Sequence, residues 1–298
     1  MKLIFAATLV LFLQLSFQAQ TIQAQTKIQD SVRLTAVDAP WDIVIEGGGL
    51  DIKQVGVKPR GAYFLLYPNK EQLNISFYIE PAEKCKTSDD CRDLVLNAGN
   101  PAWGKFENLN KARFGQFSYF EFFRPEAMGQ PLKMQDMYAQ YVDKGYWVDL
   151  HISKVLYKKE DKLLFEKLMN SIKFVPKTQT PQADKNIELI KKVAENWLGL
   201  WGDRKCSESY RSLTSISREA VKESQWLEYC SAAHQGVGKL KSRELIAITT
   251  TGSLPGKSDR AGAAFRYQSE FDNHSGVEFV SFTQEKDGTW TVSNYLVQ

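Results

Sequence analysis

Asp143-Lys144-Gly145-Tyr146-Trp147-Val148-Asp149-Leu150-His151-Ile152-Ser153 is the stretch that sets the fold class. Its first three residues are a turn signal of the kind that joins two antiparallel strands. From Tyr146 onward the side chains alternate: Tyr146, Val148, Leu150 and Ile152 share one face, and Trp147, Asp149, His151 and Ser153 the other. A period of two marks a strand with one face on a core. A helical pattern follows directly, since Leu164, Phe165, Leu168, Met169 and Ile172 recur along one side of a 3.6-residue repeat. Strand hairpins followed by a closing helix, without β-α-β alternation, describe an α+β fold rather than a wound parallel sheet.

The same pattern extends upstream. Leu73, Ile75, Phe77 and Ile79 alternate with polar residues, and the aromatic run 116–123 reads as another strand. Downstream, Val175-Pro176-Lys177-Thr178-Gln179-Thr180-Pro181-Gln182-Ala183 carries two prolines and almost no apolar side chain, which reads as a linker over 176–183. Beyond it, Asp184 opens a helix whose apolar stripe is Ile187, Ile190, Val193, Ala194, Trp197, Leu198 and Trp201. A second helix is expected over 218–233. Strands follow over 243–250, 262–272, 277–284 and 290–297, with Lys286-Asp287-Gly288 turning between the last two. The expectation is two domains, 27–175 and 184–298, each an antiparallel sheet packed with helices.

Composition fits globular material: 43% of the 298 residues are hydrophobic and 24% charged, which excludes disordered and fibrous classes. A net charge of +3 with both signs interspersed gives no basic face for nucleic acid. Met1-Lys2 followed by an uncharged run from Leu3 to Leu13 is too short to span a bilayer and fits a signal peptide over 1–24, with Ala24 or Ala19 at the cleavage point. No later segment reads as a transmembrane helix. Export to the periplasm or beyond makes the four cysteines candidates for disulfides. Three pairings are open, and sequence proximity favours Cys85 with Cys91 and Cys206 with Cys230. Loop entropy would then contribute about 2.4 and about 3.5 kcal/mol. Neither spacing suits a zinc site, and each side of the linker would own one bond.

Two resemblances follow from these residues. The ending Gly145-Tyr146-Trp147-Val148-Asp149-Leu150-His151, a helix, then Ser171-Ile172-Lys173-Phe174 resembles the close of PsbP-like domains. That implies an antiparallel sheet backed by helices and a role in assembly or binding. In the second half, Val221 and Trp226, Gly252-Ser253-Leu254-Pro255-Gly256, Phe265-Arg266-Tyr267-Gln268-Ser269-Glu270-Phe271 and Asp287-Gly288-Thr289-Trp290-Thr291-Val292 resemble a bacterial exported domain of unknown function. Its shape is similar to the nuclear-transport-factor-2-like cone.

Motifs that carry chemistry are scarce. Asp149 and His151 share a strand face and suit a base with its orienter, but also a solvated outer face. His234 and His274 read as surface residues. Ser253 lacks a nucleophile elbow, and Gly47-Gly48-Gly49 lacks the phosphate-loop pattern. Asp89 and Asp90 in the Cys85–Cys91 loop offer too few oxygens for calcium. The face of Arg266, Gln268, Glu270 and Asp272 suits a pocket lining in an enzyme and water in an ordinary sheet. No catalytic residue, cofactor or metal is assigned. The aromatics of 117–147 are mostly core, yet alternation turns some outward, and Tyr119, Trp147 and His151 are the candidate binding surface. The expected function is a non-enzymatic binding or assembly module of the envelope, for a protein or small-molecule partner. The alternative is a hydrolase or isomerase using a pocket in the cone.

Overall fold

The structure is a computed structural model that describes residues 31–46, 50–54, 62–68, 73–100, 103–127, 130–177, 181–252 and 260–298. The expected leader, the 47–49 glycine run, Ser253 to Gly256 and residues 178–180 of the expected linker lie outside the described residues. Among the described residues, fourteen strands form two antiparallel sheets packed with helices, a mixed α+β architecture.

The first sheet runs β3 (Leu50–Gln54), β4 (Ala62–Pro68), β5 (Leu73–Pro81), β9 (Tyr146–Lys154), β8 (Gln130–Asp143), β7 (Phe117–Ala127) and β6 (Glu107–Phe114). The turn between β8 and β9 has φ of 50° at Lys144 and 81° at Gly145. Two consecutive positive values give the twist that a two-residue hairpin needs. The register then follows, with Tyr141 opposite Val148 and Tyr138 opposite His151. The expected alternation holds on the inner face, where Leu73, Ile75, Phe77, Val148, Leu150 and Ile152 are buried. Each such side chain contributes about 2 kcal/mol of burial.

The second sheet runs β10 (Ile172–Pro176), β2 (Trp41–Glu46), β1 (Ser31–Ala36), β11 (Leu240–Thr251), β12 (Gly262–Phe271), β13 (Ser275–Gln284) and β14 (Trp290–Val297). This arrangement departs from the expected division of the chain. Strands β1, β2 and β10 all precede 176–183, yet β1 pairs with β11, Val32 opposite Thr251 through Ala36 opposite Ala247. The physical reason is that the middle of β11 is buried on both faces, Ala247 toward the first sheet and Ile248 toward the helices. A strand of that kind is stable only with a neighbour along each edge.

One core lies between the sheets and joins Leu34, Ile43 and Ile45 with Phe64, Phe77 and Leu150, closed at one end by Phe165, Leu168 and Met169 of α2 (Lys162–Ser171). Phe174 of β10 stacks on Tyr141 of β8 at 3.9 Å between ring centroids, tying one sheet to the other. A second core lies between the far face of the second sheet and α3 (Pro181–Gly202), α4 (Cys206–Arg211) and α6 (Glu223–Val237). Helix α3 carries the expected stripe but starts at Pro181, three residues earlier than Asp184 suggested; proline suits a first helical turn, where its missing N–H is no loss. The helix expected over 218–233 is two, α5 (Ser215–Ala220) and α6, because Val221 is extended and the Lys222 amide donates to Gln225 Oε1 at 3.1 Å to start α6 afresh. No helix among the described residues is long and apolar enough to cross a membrane.

Candidate functional site

The outer face of the first sheet was the expected binding surface, and its residues are placed differently. Trp147 does project outward, but α1 (Ser88–Ala98) lies across it, and the indole packs with Cys91, Leu94 and Val95 at 8% exposure. Its Nε1 donates to Gln140 Oε1 at 2.5 Å, and Gln140 Nε2 donates to Asp149 Oδ1 at 2.7 Å. Cys85 and Cys91 are bonded, with Cα atoms 5.1 Å apart, which anchors the start of α1 beside the end of β5. Tyr119 points the other way, into the core between the sheets, also at 8% exposure. Strand alternation puts Phe120 and Phe122, not Tyr119, on the outer face, where Trp103 covers them. Trp147 and Tyr119 therefore form no exposed patch.

His151 sits at the margin of this covered area. Its ring stacks on Tyr138 at 4.2 Å and 12°, and its Nε2 stands 2.9 Å from Asp136 Oδ1. Asp136 is fully buried and takes both Nε (2.7 Å) and Nη2 (3.2 Å) of Arg124. The partner of His151 is thus Asp136 on the neighbouring strand and not Asp149. Arg124, Asp136 and His151 form a hydrogen-bonded cluster that pins β7, β8 and β9 together. Asp89 pairs with Arg92 and Arg113, and Asp90 accepts the Thr87 amide in a helix cap, so this loop's carboxylates serve local structure.

A concave site lies on the other side of the molecule, where α3 and α6 end over β11 and β12. A cleft of about 250 Å³ is lined by Trp201, Asp203, Arg204, His234, Lys239 and Phe271, among others, with Gly238 at its edge; Asp203 pairs with Lys205 at 3.6 Å. Gly238 ends α6 at φ 81°, and a Cβ there would stand 2.8 Å from Asp272 Cβ, so only glycine fits. His234 was expected at the surface and is 8% exposed, stacked on Trp201 at 5.0 Å. It is one turn from Cys230, whose bond to Cys206 draws α4 and α6 together over the site. Burial pushes its pKa down, partly offset by a hydrogen bond to the Trp201 backbone. The imidazole is therefore neutral at pH 7, and its Nε2 has no partner among the described residues. The side-chain charges of Arg204 and Lys239 likewise make no hydrogen bond or ion pair among the described residues.

Beneath the cleft, Glu278 is fully buried in a complete hydrogen-bond shell. Arg243 donates Nε at 2.5 Å and Nη2 at 2.7 Å, Tyr295 donates at 2.5 Å, and Ser269 Oγ donates to Oε2. Burial, then the Glu278 charge, push the Tyr295 phenol well above its ordinary range. A carboxylate held by four donors is a structural anchor and has no lone pair poised for a substrate proton. On the opposite face of β12, Glu270 meets water, as does Asp272 just past the strand, but Arg266 is 2% exposed, because β4 of the first sheet lies over it. The sulfurs of Cys206 and Cys230 lie within 4.8 Å of a His234 ring nitrogen, but a disulfide offers no thiolate to a metal.

Residues 193–295 match the family described as "Protein of unknown function (DUF4019)". That span holds the whole cleft, from Trp201 to Phe271, together with Glu278 and Tyr295. No curated relative matches the sequence. Among solved structures, the solution structure of cyanobacterial PsbP (CyanoP) from Synechocystis sp. PCC 6803 is similar at 15% identity and a TM-score of 0.34, covering 48% of this chain and 92% of that chain. The likeness is too distant to bear on activity.

Proposed function

We propose that this chain is an exported envelope protein that binds a small organic anion in the Trp201–His234 cleft and does not transform it. The observation that carries the reading is the pair of unpaired cations, Arg204 and Lys239, beside the Trp201 and Phe271 rings and the unpartnered His234 nitrogen. Aromatic walls with a few convergent polar groups are the usual makeup of a ligand site. Export is supported by the charged start and apolar run of residues 1–13 and by four cysteines placed as two bonded pairs. The helices stacked on one face of β11 to β14 support the cone resemblance for this half. The test is a native intact mass of protein purified from the periplasm without reductant, set against its denatured mass. A native excess lost on denaturing, and lost in an Arg204→Ala, Lys239→Ala double variant, supports the reading. A bare monomer mass, or an excess retained by the double variant, overturns it for this cleft.

His234 favours a second reading, a hydrolase or isomerase in which its neutral imidazole acts as base. Turnover of ester, glycoside or lactone substrates that disappears in His234→Gln would establish that reading over the first.

A further inference from the structure

Several arginines of this protein are largely withdrawn from water, and two of them, Arg124 and Arg243, use their guanidinium in the same way across the strands of a sheet. Arg124 presents its Nε and Nη2 edge to Asp136, at 2.7 and 3.2 Å. Arg243 presents the same edge to Glu278, at 2.5 and 2.7 Å. Each is a side-on, two-bond fork filled by a carboxylate from another strand of the same sheet, the arrangement for which a planar guanidinium is best suited.

Arg266 of β12 departs from this. It is 2% exposed, its Nη1 donates to the backbone carbonyl of Tyr63 at 2.7 Å, and Phe279 lies 5.6 Å below its central carbon. Its Nε and Nη2, the two atoms of the side-on edge, have no hydrogen-bond partner among the described residues. Burial alone pushes its pKa down to about 9, with no neighbouring carboxylate to oppose the shift. A buried cation with an empty fork is costly, since both the charge and two donors lose their water without replacement. Its neighbours across the strands are Ala247 and Phe279, so the surroundings are apolar.

We propose that the Nε/Nη2 edge of Arg266 is a binding site for the carboxylate of a small apolar acid. The fork geometry selects a planar two-oxygen anion. Charge balance selects a monoanion, because a dianion would leave a net negative charge among apolar side chains. The Phe279 ring and the apolar face of the sheets select a hydrocarbon body for the acid. The site lies on the face of β12 opposite Phe265 and Tyr267, whose side chains belong to the helix-covered core, and it is therefore separate from the His234 cleft.

The test is thermal unfolding of the full chain titrated with octanoate, with octanol as the uncharged control. The wild-type midpoint should rise steadily with octanoate and stay put with octanol. Arg266→Met should fold, with a midpoint at or above wild type in the absence of acid, and should show no octanoate rise. Arg204→Ala, Lys239→Ala should keep the rise in full, which separates this site from the cleft. If Arg266→Met does not fold, Arg266→Lys keeps the charge without the fork, and the octanoate needed for a given rise should increase about tenfold. No rise in wild type, an equal rise in Arg266→Met, or an unchanged titration in Arg266→Lys overturns the proposal.

Discussion

His151 and Asp136 meet across the β8–β9 hairpin, with Nε2 2.9 Å from Oδ1, although fifteen residues separate them in sequence. Asp136 is simultaneously forked by Arg124, so one buried carboxylate joins three strands. Removing the carboxylate takes the two-bond fork from a largely buried guanidinium, whereas removing the imidazole leaves the Arg124–Asp136 pair in place. Asp136→Ala should therefore cost about 3 kcal/mol or more, and His151→Phe, which keeps the stack on Tyr138, about half as much. Urea unfolding of the two variants checks the ranking, and a loss near zero for His151→Phe would show that His151 matters chiefly through its ring.

Much of this geometry was legible before any coordinates. The Lys144-Gly145 turn fixes the hairpin register, which puts Tyr138 opposite His151 and Asp136 diagonally beside it. The alternation of β5 and β9 and the stripe of α3 were equally readable, because each depends on a local period. The cover on Trp147 was not, because alternation tells which face a side chain takes and not whether a later helix lies over it. The same limit hid the burial of His234 and Arg266. The pairing of β1 with β11 joins residues about two hundred positions apart, and nothing local marks it. Glu278 was passed over because its partners, Arg243, Ser269 and Tyr295, come from three separate strands.

His234 makes stability depend on pH. Its ordinary pKa of 6.5 is lowered in the folded protein, chiefly by burial. Below pH 6.5 the unfolded chain takes up a proton more readily than the folded one, so stability is full above 6.5 and falls as pH drops toward the folded value. His234→Phe lacks this group and should lose less stability than wild type between pH 7 and 5. Matched urea curves at those two values measure the difference, and parallel losses would place the titrating group elsewhere.

The Cys85–Cys91 bond holds α1 over Trp147. Its loop is short, so the entropic contribution is about 2 kcal/mol. In a Cys85→Ser, Cys91→Ser variant the loss should be local, since the core between the sheets does not include α1. Hydrogen exchange should speed up over 88–98 and at the Trp147 indole while β5 and β9 stay protected. Uniform loss of protection would mean that α1 is part of the global folding unit.

The continuity of the second sheet makes a prediction about the chain as a whole. A fragment of residues 184–298 has the helices, β11 to β14 and the Cys206–Cys230 bond, but it lacks β1, β2 and β10. Along β11, the partners that Val32 to Ala36 supply would be missing, and Ala247 would lose the core it faces. An open edge with apolar residues on both faces invites pairing with another copy. The fragment should therefore associate or unfold without a sharp transition, and adding a synthetic peptide of residues 29–47 should restore a monomer in sedimentation. A fragment that is monomeric and unfolds sharply without the peptide would show that β11 to β14 and the helices form an independent domain, with β1, β2 and β10 docked against it rather than required by it.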